Sequence, residues 1–237
     1  MDPGPYEAIA DVYDVWCAEV TEDVPFYVRR CAEAAGPVVE LGAGTGRIAL
    51  PLALAGHRVV AIDRSPAMLA RLRERAVEAG VDDRIETVVA DISALAELPA
   101  SDRVIAPFRT LLHLADDDAR LELLRLVHAA LVPGGLFAFD VFEPTRQDVR
   151  ATHDRWLERD SGVRERARWD TDARRIDLSV RYRGRETTML LHHLPGRRWA
   201  ELLASAGFFE IEAYAGFDGE PFDGGAGDTA WVARRAS

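Results

Sequence analysis

The stretch that most constrains this chain is Pro37-Val38-Val39-Glu40-Leu41-Gly42-Ala43-Gly44-Thr45-Gly46-Arg47. An apolar run ends in an acid, three alternate glycines follow, and residues 48–55 continue with a helix-like pattern. Physically, a buried strand is delivered into a tight turn and then a helix. Glycine permits positive φ and lets a ligand lie against the main chain. In an α/β sheet such a turn opens onto the crevice beyond the carboxyl ends of the strands.

The rest of the sequence repeats the same alternation. A second strand over 58–62 ends at Asp63. Ser65-Pro66 then offers an N-cap followed by proline at the first helical position, for a helix to about residue 79 with Gly80 as its stop. Strands over 85–89 (followed by Ala90-Asp91), 103–106 and 136–142 are joined by a helix over 117–131, and 24–35 reads as a helix ahead of the first strand. Strands alternating with helices at this spacing give βαβ units and a parallel sheet. Right-handed crossovers then make the sheet doubly wound.

From Glu143 the pattern changes. Residues 145–186 carry dense charge, and period-two alternation follows within 145–193, with Ile176, Leu178, Val180 and Tyr182 on one side of a strand. This predicts a small antiparallel insertion, a lid with one wet face. Its arginines read as a solvated, salt-bridged face and are also a candidate homodimer surface or a lure for an anionic acceptor. A helix over 198–206 and strands over 208–214 and 229–234 close the chain as an antiparallel hairpin at the sheet edge. In residues 1–22, positions 9, 12, 13 and 16 fall at helical spacing. They predict a helix that either packs on the main body by its aromatic face or covers a ligand as a flap. All 237 residues are read as one domain.

Composition excludes several functions. A net charge of −11 with no basic stripe argues against a phosphate-backbone binder, so no nucleic-acid partner is expected. No apolar run approaches the ~20 residues of a membrane span, so no membrane partner is expected either. The acidic N-terminus has no apolar core of a signal peptide, and the expectation is a cytoplasmic protein. Cys17 and Cys31 fit no metal-ligand spacing, and no metal site is expected. The chain has no lysine, which removes a Walker-type phosphate loop and Schiff-base chemistry.

The order of these motifs is similar to that of class I methyltransferases that use S-adenosylmethionine, over nearly the whole chain. Glu40 to Gly46 looks like the family's first motif, Asp63 its acidic second motif, and Ala90-Asp91-Ile92 its third. Leu131-Val132-Pro133-Gly134-Gly135 looks like the turn before strand five. The resemblance implies a Rossmann-like, seven-stranded, mostly parallel sheet with an antiparallel last strand, and S-adenosylmethionine as cofactor, leaving as S-adenosylhomocysteine. By it, Gly42, Ala43, Gly44 and Gly46 let the methionine part lie close to the backbone, and Glu40 orients the loop or meets the ammonium group. Asp63 accepts the ribose hydroxyls through charge-assisted hydrogen bonds. Asp91 and the Ile92 amide serve the adenine, and Arg64 and Met68 pack on it.

Pro107 and Phe108, after strand four, border the methyl group in this family. Methyltransferases of nucleic-acid amino groups carry Asn or Asp before Pro-Pro-aromatic there, whereas this chain has Ala106-Pro107-Phe108. The segment Asp140-Val141-Phe142-Glu143-Pro144 followed by a lid resembles small-molecule methyltransferases. The expected activity is therefore direct displacement of the methyl group onto a nitrogen or oxygen of a small-molecule acceptor. Tyr13 is the candidate beside the sulfonium. His113 is a candidate base, weighed against a helix-entry histidine with a satisfied hydrogen bond. Two rivals stand beside this reading. One is a non-methylating protein on the same fold, a cyclase or cofactor-binding scaffold. The other is an NAD-dependent oxidoreductase, whose G-x-G-x-x-G turn would need glycine where Arg47 stands.

Overall fold

Strand β1 (Val38–Leu41) is buried at every position, as a strand covered on both faces must be. In the computed structural model, which describes residues 2–159 and 161–237, it lies at the heart of a seven-stranded sheet. Met1 and Asp160, which fall within the expected flap and lid, lie outside the described residues. Val38 and Val39 point to opposite faces and seed two apolar layers. On Val38's side are helices α2 (Val24–Cys31), α3 (Ala49–Leu54) and α4 (Pro66–Glu78). On Val39's side are α5 (Asp117–Ala130) and α7 (Gly196–Ser205).

The strand order is β10 (Glu210–Ala215), β11 (Gly227–Arg234), β5 (Leu131–Glu143), β4 (Ser101–Ala106), β1, β2 (Val59–Asp63), β3 (Ile85–Val89). β3, β2, β1, β4 and β5 run parallel, and β11 runs antiparallel to both β5 and β10. This is the doubly wound sheet with an antiparallel last strand that the motif order implied. β1 and β4 are neighbours, so the crossover reverses beside the glycine turn, the place where ligands sit in open α/β sheets.

The insertion is a second, four-stranded antiparallel sheet of β6 (Leu157–Glu158), β7 (Arg164–Asp170), β8 (Arg175–Tyr182) and β9 (Arg185–His192). The alternation along β8 places Ile176 and Val180 inside. A helix missing from the sequence reading, α6 (Arg146–Thr152), precedes the sheet. Its Thr145–Asp148 capping box satisfies the first-turn amides. Several lid arginines are held within the sheet. Arg164, Arg166 and Arg181 stack on Trp156 at 4.4–5.7 Å, and Arg181 pairs with Glu186.

The N-terminal helix α1 (Ala10–Trp16) and the helical turn Glu7–Ile9 before it lie between this sheet and the main body. Ile9 and Val12 pack with Val163, Val180 and Met189 of the insertion. Toward the main body, Glu7 accepts from Ser65 Oγ at 2.5 Å and from Ala67 N at 3.1 Å, so it helps cap α4. Asp14 accepts from Thr45 Oγ1 and Arg75.

Gly46 shows why the turn must be glycine. Its φ is +86°, and a Cβ would collide with Leu72 on α4. We expect Gly46→Ala to lose about 2–4 kcal/mol from overpacking and left-handed strain. Urea unfolding should show this as a lower midpoint at unchanged slope; an unmoved midpoint would refute the role assigned to the turn.

Candidate functional site

The three parallel strands β1, β2 and β3 end beside one another, and their terminal residues build one cradle. Gly42 takes φ +69° and packs so tightly on Thr110 that a side chain has no room. Gly44 takes φ +54°, and its missing side chain faces open space up to the ring of Tyr13, 3.8 Å from where a Cβ would stand. Gly44 donates its amide to Asp63 Oδ2 at 2.9 Å, and Ser65 N donates to Oδ1 at 2.8 Å. Each oxygen keeps a second lone pair, so Asp63 can accept two further hydrogen bonds, as many as a ribose diol offers. Burial pushes its pKa up, against the pull of the two amides and Arg64.

Asp91 ends the segment after β3. Its Oδ1 accepts from the amide and hydroxyl of Ser93. Burial raises its pKa, but these bonds and the Arg64 guanidinium outweigh that and hold it below the usual carboxylate range. Arg64 reaches Asp91 at 3.4 Å and the Asp2 carbonyl at 2.8 Å, closing one end of the cradle. Met68, buried on α4, supplies an apolar floor.

The roof comes from the N-terminal segment. Tyr6 and Tyr13 meet edge to face at 5.9 Å, and the Tyr6 hydroxyl lies 3.1 Å from His113 Nε2. Burial, together with the nearby Arg64 charge, lowers the His113 pKa to about 4. The ring is therefore neutral at neutral pH and able to accept the Tyr6 proton in that bond.

Beyond this roof a second cavity of about 350 Å³ opens between the main body and the antiparallel sheet. Phe142, Trp169, Ile176, Leu178 and Leu191 give it apolar walls, with Trp16, Glu19, Glu22, Glu165 and Arg159 on its other walls. Trp16 Nε1 donates to Glu165 at 3.1 Å, and Glu165 also pairs with Arg159. Tyr6, Phe108 and His113 line both this cavity and the cradle.

Of the residues singled out in the sequence, Tyr13, Gly42, Gly44, Asp63, Arg64, Met68, Asp91, Ile92, Pro107, Phe108 and His113 stand on the cradle wall. Three do not. Ala43 is buried with its amide committed to the Ile62 carbonyl, and Gly46 is turned onto α4. Glu40 lies beneath the turn, 2% exposed, with Oε2 unpartnered. Burial raises its pKa to about 8. Sequence reading passed over Tyr6, Thr110 and Arg47 as site residues. A tyrosine seven residues before Tyr13 was the only local sign of the first.

Residues 38–135 match the family described as methyltransferase domain. The CcbJ methyltransferase from Streptomyces caelestis is similar in structure over the whole of both chains, with 29% identity and a TM-score of 0.86. A carboxy-S-adenosyl-L-methionine synthase from Ectopseudomonas mendocina is 31% identical over 143 residues, 57% of this chain and 56% of that protein. A cypemycin N-terminal methyltransferase from a Streptomyces species is 33% identical over 107 residues, 45% of this chain and 42% of that protein. The chain spans about half the length of these curated relatives. Other solved structures of this fold are complexes with S-adenosylhomocysteine, sinefungin or S-adenosylmethionine. The fold is that of the class I S-adenosylmethionine-dependent methyltransferases.

Two outcomes test the cradle. Asp63→Ala should weaken S-adenosylhomocysteine binding roughly ten- to a hundredfold by calorimetry, since a hydrogen bond to a charged group is worth about 1.5–3 kcal/mol. An unchanged dissociation constant would remove Asp63 from the site. For Glu40, the folded pKa of about 8 stands above its ordinary 4.5, so the native state holds a proton that the unfolded chain releases between those values. Stability therefore falls as pH rises through that window. Melting curves at pH 6 and pH 9 should converge in Glu40→Gln relative to the parent protein, and an equal gap in both would contradict the burial argument.

Proposed function

We propose that the protein moves the methyl group of S-adenosylmethionine to a nitrogen or oxygen of a small molecule by direct displacement. The observation that carries this reading is the wall shared by the two cavities. A cofactor in the cradle and an acceptor in the second cavity would meet only past Tyr6, Phe108 and His113. Bound in the cradle, the cofactor supplies an electrophilic methyl group on a sulfonium sulfur. The residues of the chain hold, orient and dry that place. Gly44 leaves the backbone open, Asp63 and Asp91 offer carboxylates, and the Tyr6–Tyr13 pair keeps water out. Positioning of this kind supplies about 7–11 kcal/mol in well-oriented systems.

His113 serves here by orienting Tyr6. A ring with a pKa near 4 is too weak a base to take a proton from an ammonium group at neutral pH. Replacing it by glutamine should leave the pH–rate profile above pH 5 unchanged in shape. A lost alkaline or neutral limb would restore it as the base.

A second reading comes from the similarity to carboxy-S-adenosyl-L-methionine synthases, proteins whose product is an altered cofactor. We place it second because that match covers 57% of this chain, whereas the similarity to the CcbJ methyltransferase runs over the whole of both chains. Two measurements separate the possibilities. S-adenosylhomocysteine at a hundred times its dissociation constant should stabilise the protein by about 2.7 kcal/mol and raise the melting temperature, while NADH should not. A rise with NADH alone would sink the cofactor assignment. Labelled methyl transfer to a panel of amines and alcohols should then mark an acceptor. Cofactor turnover to a modified sulfonium with every acceptor unlabelled would favour the second reading.

A further inference from the structure

Asp140 is a carboxylate with no cation on it. It stands in β5, 2% exposed, and among the described residues no arginine or histidine comes within ion-pair distance. Three neutral donors hold it instead. Tyr27 Oη donates to Oδ1 at 2.6 Å, Phe108 N donates to Oδ1 at 2.6 Å, and Arg109 N donates to Oδ2 at 2.9 Å. A buried charge that serves no ion pair is expensive and needs a reason.

The reason lies in the two amides. Phe108 and Arg109 are consecutive, neither is glycine, and both take left-handed φ, +54° and +62°. Such conformations cost of order 1–3 kcal/mol each and persist only where the surroundings impose them. Both amides point at the Asp140 carboxylate, which satisfies two donors that would otherwise be buried unpaired. The residue that this arrangement fixes is Phe108, one of the three on the wall between the cavities. Its ring is held from the other side by Arg47, whose guanidinium lies 4.7 Å from the ring centroid. Arg47 is in turn fixed by two bonds to the buried carboxylate of Asp23.

We propose that Asp140 is a positioning residue for methyl transfer, its carboxylate holding the Phe108–Arg109 turn in the one conformation that shapes the window between cofactor and acceptor. The proposal rests on the methyltransferase reading for its purpose, but the turn itself can be observed without any ligand.

A pH dependence follows from the same geometry. All three donors are held more strongly by the carboxylate than by the neutral acid, whose protonated oxygen is a poor acceptor. Burial pushes the Asp140 pKa up to about 6. Asp23 and Tyr27, both from the α2 region, Arg47 from the glycine turn and Arg109 from the turn itself are the charged and titratable groups that face it. Asp23 raises the value, whereas Arg109 and the Tyr27 hydrogen bond lower it. Protonation of Asp140 is expected to weaken its hold on the turn. The sign for stability is opposite. The folded value exceeds the unfolded one, so ionising Asp140 on going up through pH 4–6 costs native stability. Weaker binding in mild acid is therefore expected without unfolding driven by this group.

The test uses the whole 237-residue chain. Amide resonances of Phe108 and Arg109 are followed from pH 5 to 8 without ligand, and S-adenosylhomocysteine affinity is measured over the same range. In the parent protein both resonances should titrate together near pH 6, and affinity should fall below that value. Asp140→Asn should abolish the titration, bind S-adenosylhomocysteine about tenfold more weakly at pH 7.5, and lose the acid limb. Tyr27→Phe, which keeps both amide bonds, should move the midpoint upward and carries the test should Asp140→Asn fail to fold.

Resonances that do not titrate in the parent protein would overturn the proposal. So would Asp140→Asn binding with the parent's affinity and pH profile. A lowered melting temperature with an unchanged pH profile would reduce Asp140 to a structural residue. A parent protein that titrates but binds no S-adenosylhomocysteine would remove the proposed activity and with it the purpose assigned to Asp140.

Discussion

The hydrogen bond from the Gly44 amide to the Asp63 carboxylate is the constraint around which the cradle is built. It joins the turn after β1 to the end of β2, two strands already paired in register from Val38–Val59 to Leu41–Ile62. The bond requires Gly44 to turn its amide sideways, which its φ of +54° allows. It also requires an acceptor at the last residue of β2. The Ala90 amide then bonds the Asp63 carbonyl, which fixes Asp91 one residue further on. The glycine spacing, the acid at 63 and the acid at 91 are thus one mechanical unit, and altering one disturbs the register of the other two.

The roof obeys different physics. Its contacts to the cradle include carboxylate bonds from Glu7 and Asp14, the Tyr6–His113 bond and the Asp2 carbonyl on Arg64, and toward the insertion it adds Asp11–Arg185 and a small apolar cluster. Exposed pairs such as Asp11–Arg185 are worth about 0–1 kcal/mol. The roof's apolar hold is the burial of Ile9 and Val12, each worth about 1.5–3 kcal/mol as for any core side chain. The cradle is thus set by pairing between strands, and its roof by side chains that reach across from a separate segment.

This division also explains what was legible in the sequence. Gly42, Gly44, Asp63 and Asp91 declare themselves because each sits at a strand end that periodicity locates, and the chemistry is local to the turn. The antiparallel insertion was readable from alternation over residues 175–182, whereas α6 was not, since seven residues with a charged face leave little periodic signal. Glu40 lies beneath the turn, where the resemblance put it, and its burial with Oε2 unpartnered is set by packing from distant elements. Glu40 stands two residues before Gly42, and alternation alone does not show which face of the strand is floor. Tyr6 with His113 and Asp140 with Tyr27 meet across separations of 107 and 113 residues, so only the folded chain brings them together.

Arg47 joins these strands of argument. Dinucleotide-binding turns use glycine at this place for close packing of helix on strand. Here the same position carries a long cation, and the packing that a third glycine would permit is given to Gly46 against Leu72. The arginine is then free to reach sideways. It bonds Asp23 and the Val20 carbonyl at the end of the N-terminal segment and lies over Phe108 at the window. One residue at the mouth of the glycine turn therefore connects the N-terminal segment to a side chain on the wall between the two cavities. The substitution that departs from the dehydrogenase pattern also supplies the brace on Phe108 that a glycine could not.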